Sequence, residues 1–511
     1  MASDFQSDYR SQNDITNCSM VTAAFPQLEK SQEESLVDNL LQWSLANGLV
    51  IYPPNFKSYQ PVSAPTTLYP TPFPKVAFQD AKDVQLLFNE LYAKVASDEK
   101  FLFGIIDELA QFDSDFTGKL WETYIKAKNQ GIVQPLSLGI FRSDYMVNEI
   151  EGKKPQIKQI EFNTVSVSFG GLSEKVGELH NYLNNHGDYS LDEDSSKFYK
   201  TEDLPISDSI KKLSDGLADG DYYYNNQKKS TGTIVLVVVQ DRERNVFDQR
   251  LLEFALLSNH GIKSIRLTLS EIESKTFIEP NSKKLFIKST NDEVSVVYFR
   301  SGYAPTDFNS QKDWDNRLIL ETSKAIKAPT LLTQLAGAKK IQQILTDEEI
   351  ISKFITKNPE TENNFSQLLD TFVAIYPLDN SPKGLDAKKL ALETPDNFVL
   401  KPQREGGGNN IYKQDIPNFL KSIPEKDWAG YILMELIHPQ HYQNKILRDG
   451  EIYNEPIISE LGRFGTIVFN QESGEILSNN DAGWLLRSKF ESSNEGGVAA
   501  GFGCVDSVVL N

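Results

Sequence analysis

Hydrophobic residues along the chain follow two spacings, and together these predict a mixed α/β protein. Residues 36–49 and 76–112 place apolar side chains three and four positions apart, as one face of a helix requires. Shorter apolar or alternating runs at 138–142 and 157–168 predict strands. Strands and helices then alternate from 231 to 339, which is typical of a small α/β unit.

The C-terminal third has a different pattern, which predicts a sheet rich in hairpins. Its apolar runs are short and separated by polar turns, and they fall at 397–402, 431–437, 455–461 and 464–470. Polar stretches elsewhere predict long connections or loops, which are 184–230, 361–366 and 380–388.

Composition narrows the class of protein. A length of 511 residues predicts roughly three domains. Lys and Arg total 52 against 71 Asp and Glu, and the formal net charge of −19 argues against a general nucleic-acid binder or a coat for anionic membranes. Two cysteines, Cys18 and Cys504, are too few for a disulfide framework or a Cys-rich zinc site. The polar N-terminus has no signal-peptide pattern, so we expect a cytoplasmic protein.

The clearest chemical motif is a glycine-rich loop at residues 401–410. A predicted strand delivers Lys401, and Gly406, Gly407 and Gly408 let backbone N–H groups approach phosphate oxygens. Arg404 adds positive charge and Glu405 could hold a bridging cation. The alternative is a hairpin turn with no ligand. The motif lacks the Gly-Lys-Ser/Thr ending of a P-loop.

Two further segments place polar pairs on single strand faces. Glu161 and Asn163 are two positions apart and would offer oxygen ligands suited to Mg²⁺, unless they form a solvated strand face. Arg487 and Lys489 are spaced in the same way, and small residues dominate from 496 to 501, as in a mobile loop or a loose C-terminal segment. With Lys339, these cations would suit an anionic ligand.

Taken together, the segments resemble the eukaryotic glutathione synthetases from about residue 36 to the C-terminus. The resemblance is carried by the motifs at 138–145, 159–171, 243–249, 333–337, 401–410 and 496–501. It implies an α/β (α+β) ATP-grasp fold with an inserted small α/β substrate-binding domain and a lid. It also implies a ligase that joins γ-L-glutamyl-L-cysteine to glycine while ATP is cleaved to ADP and phosphate.

The resemblance implies an order of domains along the chain. We expect a flexible N-terminal tail at 1–35, the first part of the ATP-grasp body at 36–224, a substrate-binding α/β domain at 225–338, a lid with the triglycine loop at 339–430, and the C-terminal part of the body with an alanine/glycine loop at 431–511.

It also implies roles for individual residues. The catalytic group would be Arg142, Glu161, Lys401, Glu405 and Arg487, and two Mg²⁺ ions would be held by Glu161, Asn163 and Glu405. The ATP site would comprise Glu161, Lys339, Lys401, Gln403, Arg404, Glu405, Gly406, Gly407, Gly408, Asn409, Asn410, Tyr412, Met434, Glu435, Leu436, Ile437, Glu460, Lys489 and Glu495. The peptide substrate would contact Arg142, Val165, Ser166, Val167, Ser168, Ile234, Val235, Leu236, Gln240, Arg300, Ser301, Gly302, Tyr303, Arg487, Val498 and Ala499.

Elementary chemistry is consistent with this implied reaction. A carboxylate is a poor electrophile, and phosphorylation by ATP turns it into an acyl phosphate that an amine can attack. Mg²⁺, lysines and loop amides would stabilise the charge on the transferred group. Two alternatives remain open: the same ligation with β-alanine or serine as the amine, since a methylene changes affinity by only about 1–3 kcal/mol, and an inactive nucleotide-binding interaction protein. The family resemblance implies a homodimer with small-molecule substrates.

Overall fold

The computed structural model describes residues 25–149, 152, 154–190, 197–229, 232–356, 362–403, 409–493, 497–498, 501 and 503–511. The helices are α1 Lys30–Asn47, α2 Lys75–Asp83, α3 Gln85–Ser97, α4 Glu99–Phe112, α5 Lys119–Gln130, α6 Gly170–His186, α7 Ser209–Tyr224, α8 Val246–His260, α9 Ile272–Lys275, α10 Gln311–Thr322, α11 Leu331–Ala336, α12 Lys339–Ile344, α13 Glu348–Phe354, α14 Glu362–Thr371, α15 Pro382–Glu393 and α16 Asp415–Ser422.

The strands are β1 Val50–Ile51, β2 Val62–Ser63, β3 Thr66–Thr67, β4 Thr71–Phe73, β5 Leu136–Asn148, β6 Gln156–Asn163, β7 Ile234–Val239, β8 Lys263–Thr268, β9 Thr276–Ile278, β10 Leu285–Ile287, β11 Glu293–Phe299, β12 Ile326–Ala328, β13 Ile375–Pro377, β14 Phe398–Pro402, β15 Ile411–Tyr412, β16 Tyr431–Glu435, β17 Tyr442–Arg448, β18 Glu451–Asn470, β19 Ile476–Phe490, β20 Gly503–Asp506 and β21 Val508–Leu510. The mixed α/β fold predicted from the sequence is confirmed. None of the described helices is both long and apolar enough to cross a membrane.

One sheet of 13 strands dominates the fold, and it forks at β5. On one side β5 pairs antiparallel with the long strand β18, which is followed across the sheet by β19, β20, β3 and β17. On the other side the start of β5 meets β12 at Ser137, whereas its end, from Arg142 onward, pairs with β6. Beyond β12 lie β11, β7 and β8 in parallel. The fork leaves a gap between its two branches beside Arg142.

Hydrophobic clusters cover both faces of this sheet. Adjacent residues of one strand point to opposite faces, and accordingly Ile467 belongs to one cluster and Val468 to the other. The first cluster packs α2, α3, α4 and α5 on the sheet, and the second packs α1, α6, α7 and α8. Burial of this extent, at about 25 cal/mol per Å² of apolar surface, is the main stabilising term.

A separate four-stranded antiparallel sheet, in the order β13, β16, β14 and β15, lies within the segment predicted to be the lid. Phe398 and Leu400 of β14 face α15 and α16 in a small core of their own. Val399, between them, points to the other face with Ile432 and Met434. Because Lys401 follows Val399 by two positions, it shares that second face.

Several elements differ from the sequence prediction. Helix α7 lies inside the predicted polar connection 184–230, because its Asp- and Gly-rich sequence hides the helical spacing. Its glycines permit close packing on the sheet, since a Cβ at Gly220 would lie 3.0 Å from Val296 Cγ2. Helices α14 and α15 replace predicted loops at 361–366 and 380–388. Ser381 caps α15 by accepting from Gly384 N at 3.1 Å, with Pro382 in the first turn, a start signal that marks a helix.

Two predicted boundaries were also wrong. The tail predicted at 1–35 overlaps α1, which begins at Lys30, because its first turn is polar and lacks apolar spacing. Upstream of α1, Phe25 packs on the core. The strand predicted at 157–168 ends at Asn163. Ser166 and Phe169 have φ values of 52° and 70°, and this left-handed backbone interrupts an extended strand.

His180 is fully buried on α6, where its Nε2 donates to the Thr67 carbonyl at 3.0 Å and its Nδ1 lies 2.6 Å from Ser507 Oγ. Burial lowers its pKa to about 4, although the bond to Thr67 acts in the other direction. Between about pH 6.5 and pH 4 this histidine therefore binds a proton in the unfolded chain but not in the native state. Native stability attributable to this group is present above pH 6.5 and falls as the pH drops towards 4.

We therefore expect His180→Gln to change the pH profile of stability. Relative to the variant, the wild type should lose about 3 kcal/mol of unfolding free energy between pH 6.5 and pH 4. The comparison must be made between the two proteins, because burial raises the pKa of Asp506 to about 6 and that group acts with the opposite sign. Urea unfolding at several pH values measures the unfolding free energy of both proteins. Parallel pH profiles for the two proteins would contradict the lowered pKa of His180.

Candidate active site

The fork in the large sheet brings together residues from distant parts of the chain. Arg142 of β5 lies directly opposite Asn163 of β6 in the pairing register. Gln240 and Arg300 follow the carboxyl ends of the parallel strands β7 and β11, and this is the end of an open α/β sheet where ligands bind. Backbone and side-chain contacts join the two branches here, so the fork holds these polar side chains on rigid strands and is the candidate site.

Glu161 lies between the body and the lid sheet. Lys339, at the start of α12, donates from Nζ to Glu161 Oε2 at 2.8 Å. Lys401 of the lid donates from Nζ to the Ile160 carbonyl at 2.9 Å. Burial alone would raise the pKa of Glu161, but the ammonium groups of Lys339 and Lys401 outweigh it and hold that pKa well below its usual range. Two buried cations therefore converge on one carboxylate at the base of the lid.

The strands β18 and β19 supply a second charged group. Arg487 Nη2 donates to Glu460 Oε2 at 2.8 Å, and Lys489 Nζ lies 3.9 Å from Glu460 Oε1. Glu460 and Arg487 are directly opposite each other in the register, so the pairing of the strands fixes both side chains. Arg487 and Lys489 share one strand face, as their spacing predicted.

Arg300 follows β11 and approaches the fork from the branch that contains the parallel strands. Its Nη2 donates to Ser168 Oγ at 2.5 Å, and its Nη1 bonds to the Val167 carbonyl. Arg142 Nη1 reaches the Ser168 carbonyl at 3.3 Å, so Ser168 joins two arginines. Arg300 Nε and Arg487 Nε are buried without a hydrogen-bond partner among the described residues. The planar guanidinium groups at the fork suit the recognition of a carboxylate or a phosphate.

Polar contacts also organise the loop after β11. Asp307 Oδ2 accepts from the backbone N–H groups of Gly302, Tyr303 and Ala304 at 2.9, 3.0 and 3.1 Å. Gln240 Nε2 donates to Tyr303 Oη at 3.0 Å. These bonds hold Gly302, with φ of 90°, in a turn beside the site.

The face of the lid sheet that carries Lys401 has a small buried apolar cluster beside it. Val399, Ile432 and Met434 form it and are at most 5% exposed, with Tyr412 and Leu436 partly buried at its edge. Asn410 Nδ2 lies 3.4 Å from Tyr412 Oη. An apolar cluster with partly exposed edge residues next to a buried lysine fits a nucleobase and its phosphates.

Comparison with known proteins was consistent with this geometry. The chain is 40% identical over 466 residues to the glutathione synthetase large chain of Schizosaccharomyces pombe, which covers 88% of this chain and 91% of that protein. It is 36% identical to the glutathione synthetase of Homo sapiens over 487 residues, covering 94% and 97%. A family model described as the eukaryotic glutathione synthase ATP-binding domain matches residues 30–510. The chain belongs to the eukaryotic glutathione synthase family.

A solved structure has the same overall fold. It is that of a glutathione synthetase-like effector from Globodera pallida, with a TM-score of 0.73, at 22% identity, covering 96% of this chain and all of that one. At this identity the likeness supports the fold alone, and the family assignment rests on the sequence relatives.

Not every residue expected from the resemblance to glutathione synthases reaches the site. Ile234, Val235 and Leu236 are at most 2% exposed and pack in the two cores beside β7, so their side chains do not face the fork and their assignment to the substrate pocket stays a prediction about their backbone. They lie in the first half of the strand, whereas the site lies beyond its carboxyl end. The Val498 side chain is also buried in the core, which leaves only its backbone for a substrate.

Other residues contribute through backbone or structural contacts. Val165 and Val167 are buried, and Val167 meets Arg300 through its carbonyl. Ser166 Oγ donates to the Phe299 carbonyl at 3.1 Å, and Ser301 is buried next to it. Gln403 accepts from Lys340 N at 3.1 Å and so links the four-stranded lid sheet to α12. Glu435, the last residue of β16, and the next two residues, Leu436 and Ile437, are half-buried, whereas Asn409 is exposed. The predicted residues Arg404, Glu405, Gly406, Gly407, Gly408, Glu495 and Ala499 lie outside the described residues.

Sequence reasoning missed two acidic groups at the fork. Asp144 is 1% exposed and accepts from Arg142 Nε at 2.6 Å and Nη2 at 2.7 Å. Glu243 follows β7. Burial acts to lower the pKa of Arg300 and to raise that of Tyr303, and the charge of Glu243 contributes to the net rise in both pKa values. Position after a parallel strand could have indicated Glu243. Asp144 gave no such signal, because one residue in a strand says nothing of its partners on other strands.

The donor set is compatible with Mg²⁺. No group of three His, Cys, Asp or Glu side chains that could hold a metal occurs within the described part of the chain. Asn163 Nδ2 donates to Asp144 Oδ2 at 3.1 Å, so its amide oxygen is the atom left for a cation. Glu161 adds a carboxylate two positions away on the same strand face. Two protein oxygens with substrate phosphates are what Mg²⁺ commonly takes.

Proposed function

We propose that this chain is an ATP-dependent ligase that joins γ-L-glutamyl-L-cysteine to glycine and forms glutathione, ADP and phosphate through an acyl phosphate. The observation that supports this most directly is the convergence of Lys339 and Lys401 on Glu161, beside the arginines of the fork. Membership of the family supports the choice of substrates. A peptide carboxylate and a nucleotide phosphate would meet at the fork.

The lid and the body divide the binding of ATP. The partly buried Tyr412 and Leu436, at the edge of the apolar cluster of the lid sheet, contact the base, while Lys401 and Lys339 hold the phosphate oxygens. Lysines act here as point charges that follow the moving phosphoryl group. Glu161, Asn163 and Glu405 would hold Mg²⁺, which supplies charge neutralisation on the transferring phosphoryl group.

The arginines orient the peptide. Arg142, Arg300 and Arg487 present fixed guanidinium groups from three different strands or strand ends, and they bind the carboxylates of γ-glutamylcysteine. Once phosphoryl transfer makes the carboxyl carbon electrophilic, the glycine amine attacks and phosphate leaves. Water must be excluded at that stage, since it competes with the amine.

The test measures ADP and glutathione in the same reaction, with γ-glutamylcysteine or glycine omitted in turn. We expect equal amounts of ADP and glutathione with both substrates present, and little ADP when either is missing. Glycine is then replaced by β-alanine and by serine. A higher kcat/KM with either of those amines would change the assigned product, and no ligation with any amine would overturn the proposal.

We also propose a homodimer working in a reducing compartment such as the cytoplasm. The family resemblance supports the dimer, and a thiol substrate requires reducing conditions to stay a thiol. Light scattering of the purified protein should give twice the mass of the chain, and a monomer that retains full activity would contradict it.

A further inference from the structure

Asp144 lies between two arginines that the proposed function assigns to the peptide substrate. Arg142 binds both of its oxygens, from Nε at 2.6 Å and from Nη2 at 2.7 Å. Arg487, which is 343 residues further along the chain, donates from Nη2 to Asp144 Oδ2 at 3.1 Å. The two guanidinium groups carry like charges and would repel each other without the carboxylate between them.

The same carboxylate holds a third residue. Asn163 Nδ2 donates to Asp144 Oδ2 at 3.1 Å, and it also lies 3.4 Å from the Arg142 carbonyl oxygen. Since the nitrogen of the amide is engaged, the rotamer of Asn163 is fixed and its oxygen is presented to a cation. Asp144 thus bonds to the two arginines assigned to the peptide and to the asparagine whose amide oxygen would bind the metal.

Asp144 itself is too deep to contact a ligand. Only 1% of the residue is exposed, and it sits in the middle of β5 between β6 and β18, opposite Glu161 on one side and Gly462 on the other. A buried carboxylate with three charged or polar partners is stabilised only while all of them are in place. Its influence on a reaction must therefore pass through its partners.

We infer that Asp144 is a positioning residue that sets Arg142, Arg487 and Asn163 at once, and so couples the binding of γ-glutamylcysteine to the binding of Mg²⁺. The inference rests on the proposed function. It predicts that one substitution at a buried position affects two ligands that Asp144 does not touch.

The test is Asp144→Asn, which keeps the shape but removes the charge. We expect the affinity for γ-glutamylcysteine, measured by calorimetry without nucleotide or metal, to fall about tenfold or more, the size of one lost charge-assisted hydrogen bond. The Mg²⁺ concentration for half-maximal turnover should rise by a similar factor. ADP affinity without metal should stay within about twofold, because Lys339 bonds to Glu161 and Lys401 bonds to the Ile160 carbonyl, and Asp144 orients neither lysine.

Asp481→Asn is the matched control. Asp481 pairs with Arg463 in the same sheet and with Lys212 at 3.2 Å, away from the substrate arginines. Both substitutions remove a carboxylate from an arginine pair, so both should lower the melting temperature. If the role of Asp144 were purely structural, both variants would lose stability only. The affinity for γ-glutamylcysteine and the Mg²⁺ concentration for half-maximal turnover would then be unchanged in both.

Gly462→Ala provides a second variant in case Asp144→Asn does not fold. A Cβ at Gly462 would lie 2.9 Å from Asp144 Oδ1 and 3.0 Å from Arg142 Cδ, so it displaces this pair without changing any charge. We expect the affinity for γ-glutamylcysteine to fall and the Mg²⁺ concentration for half-maximal turnover to rise, each by a smaller factor than in Asp144→Asn. Unchanged γ-glutamylcysteine affinity and Mg²⁺ dependence in a folded variant would overturn the inference. A wild type that makes no glutathione would overturn the proposed function, and the inference with it.

Discussion

Replacing Glu161 by glutamine is expected to reduce glutathione formation by about a thousandfold or more. The carboxylate lies at the meeting point of Lys339 and Lys401, and it is the charged member of the pair of oxygen donors on β6. Glutamine keeps the length of the side chain but removes the charge that would hold Mg²⁺. Loss of one metal ligand at a phosphoryl-transfer site removes several kcal/mol of transition-state stabilisation.

Binding measurements separate this effect from loss of the nucleotide. Removing a negative charge that faces the phosphates should not weaken the binding of metal-free ATP, and we expect equal or tighter affinity. Glu321→Gln is the control, because Glu321 is also a buried carboxylate, bonded to Arg317 at 2.5 Å and to Leu331 N at 3.1 Å. The control should lose stability but keep its turnover. Turnover of Glu161→Gln within tenfold of wild type at saturating Mg²⁺ would refute its assignment as a metal ligand.

Replacing Lys401 by methionine is expected to lower both ATP affinity and turnover, the latter by about a hundredfold or more. Lys401 is 4% exposed, and its ammonium group spans from the lid strand β14 to the Ile160 carbonyl of β6. Methionine fills the space of the aliphatic stem, so the lid should stay folded. The missing charge removes one phosphate partner and one bond between the lid and the body.

Lys388→Met tests whether any disturbance of the lid has this effect. Lys388 lies on α15, away from the face of the lid sheet that carries Lys401, and bonds to Glu425 at 2.9 Å and Asn380 at 3.0 Å. Its ammonium group also lies over the ring of Trp428. We expect wild-type ATP affinity in this variant, measured by calorimetry beside Lys401→Met. Equal losses in the two variants would mean that Lys401 acts through lid stability alone.

Local patterns allowed part of the site to be predicted. Glu161 and Asn163 share a strand face because a strand has a period of two, and the same rule paired Arg487 with Lys489. The strand that delivers Lys401 was predicted from its short apolar run at 397–402. The errors also have local causes: α7 was missed because its Asp and Gly residues mask the helical spacing, and α15 because its start signal at Ser381 was not used.

The resemblance to a family extended the prediction beyond local patterns. It assigned Arg300 and Ser168 to the substrate side, and the structure brings both together near Arg142. It also assigned Ile234–Leu236, whose side chains lie in the core. A role carried across by resemblance does not say whether the side chain or the backbone of a residue would make the contact.

The sequence by itself determined which short segments are helices or strands, which polar residues share a face, and that the family is the eukaryotic glutathione synthases. Those properties depend on neighbours within a few positions or on motifs that can be matched as letters. Only the tertiary structure decided that Arg142 stands opposite Asn163, that Lys339 reaches Glu161, and that Asp144 binds Arg487. Such contacts join strands that are far apart in the chain, and their register is set by the packing of both sheet faces, which no local pattern encodes.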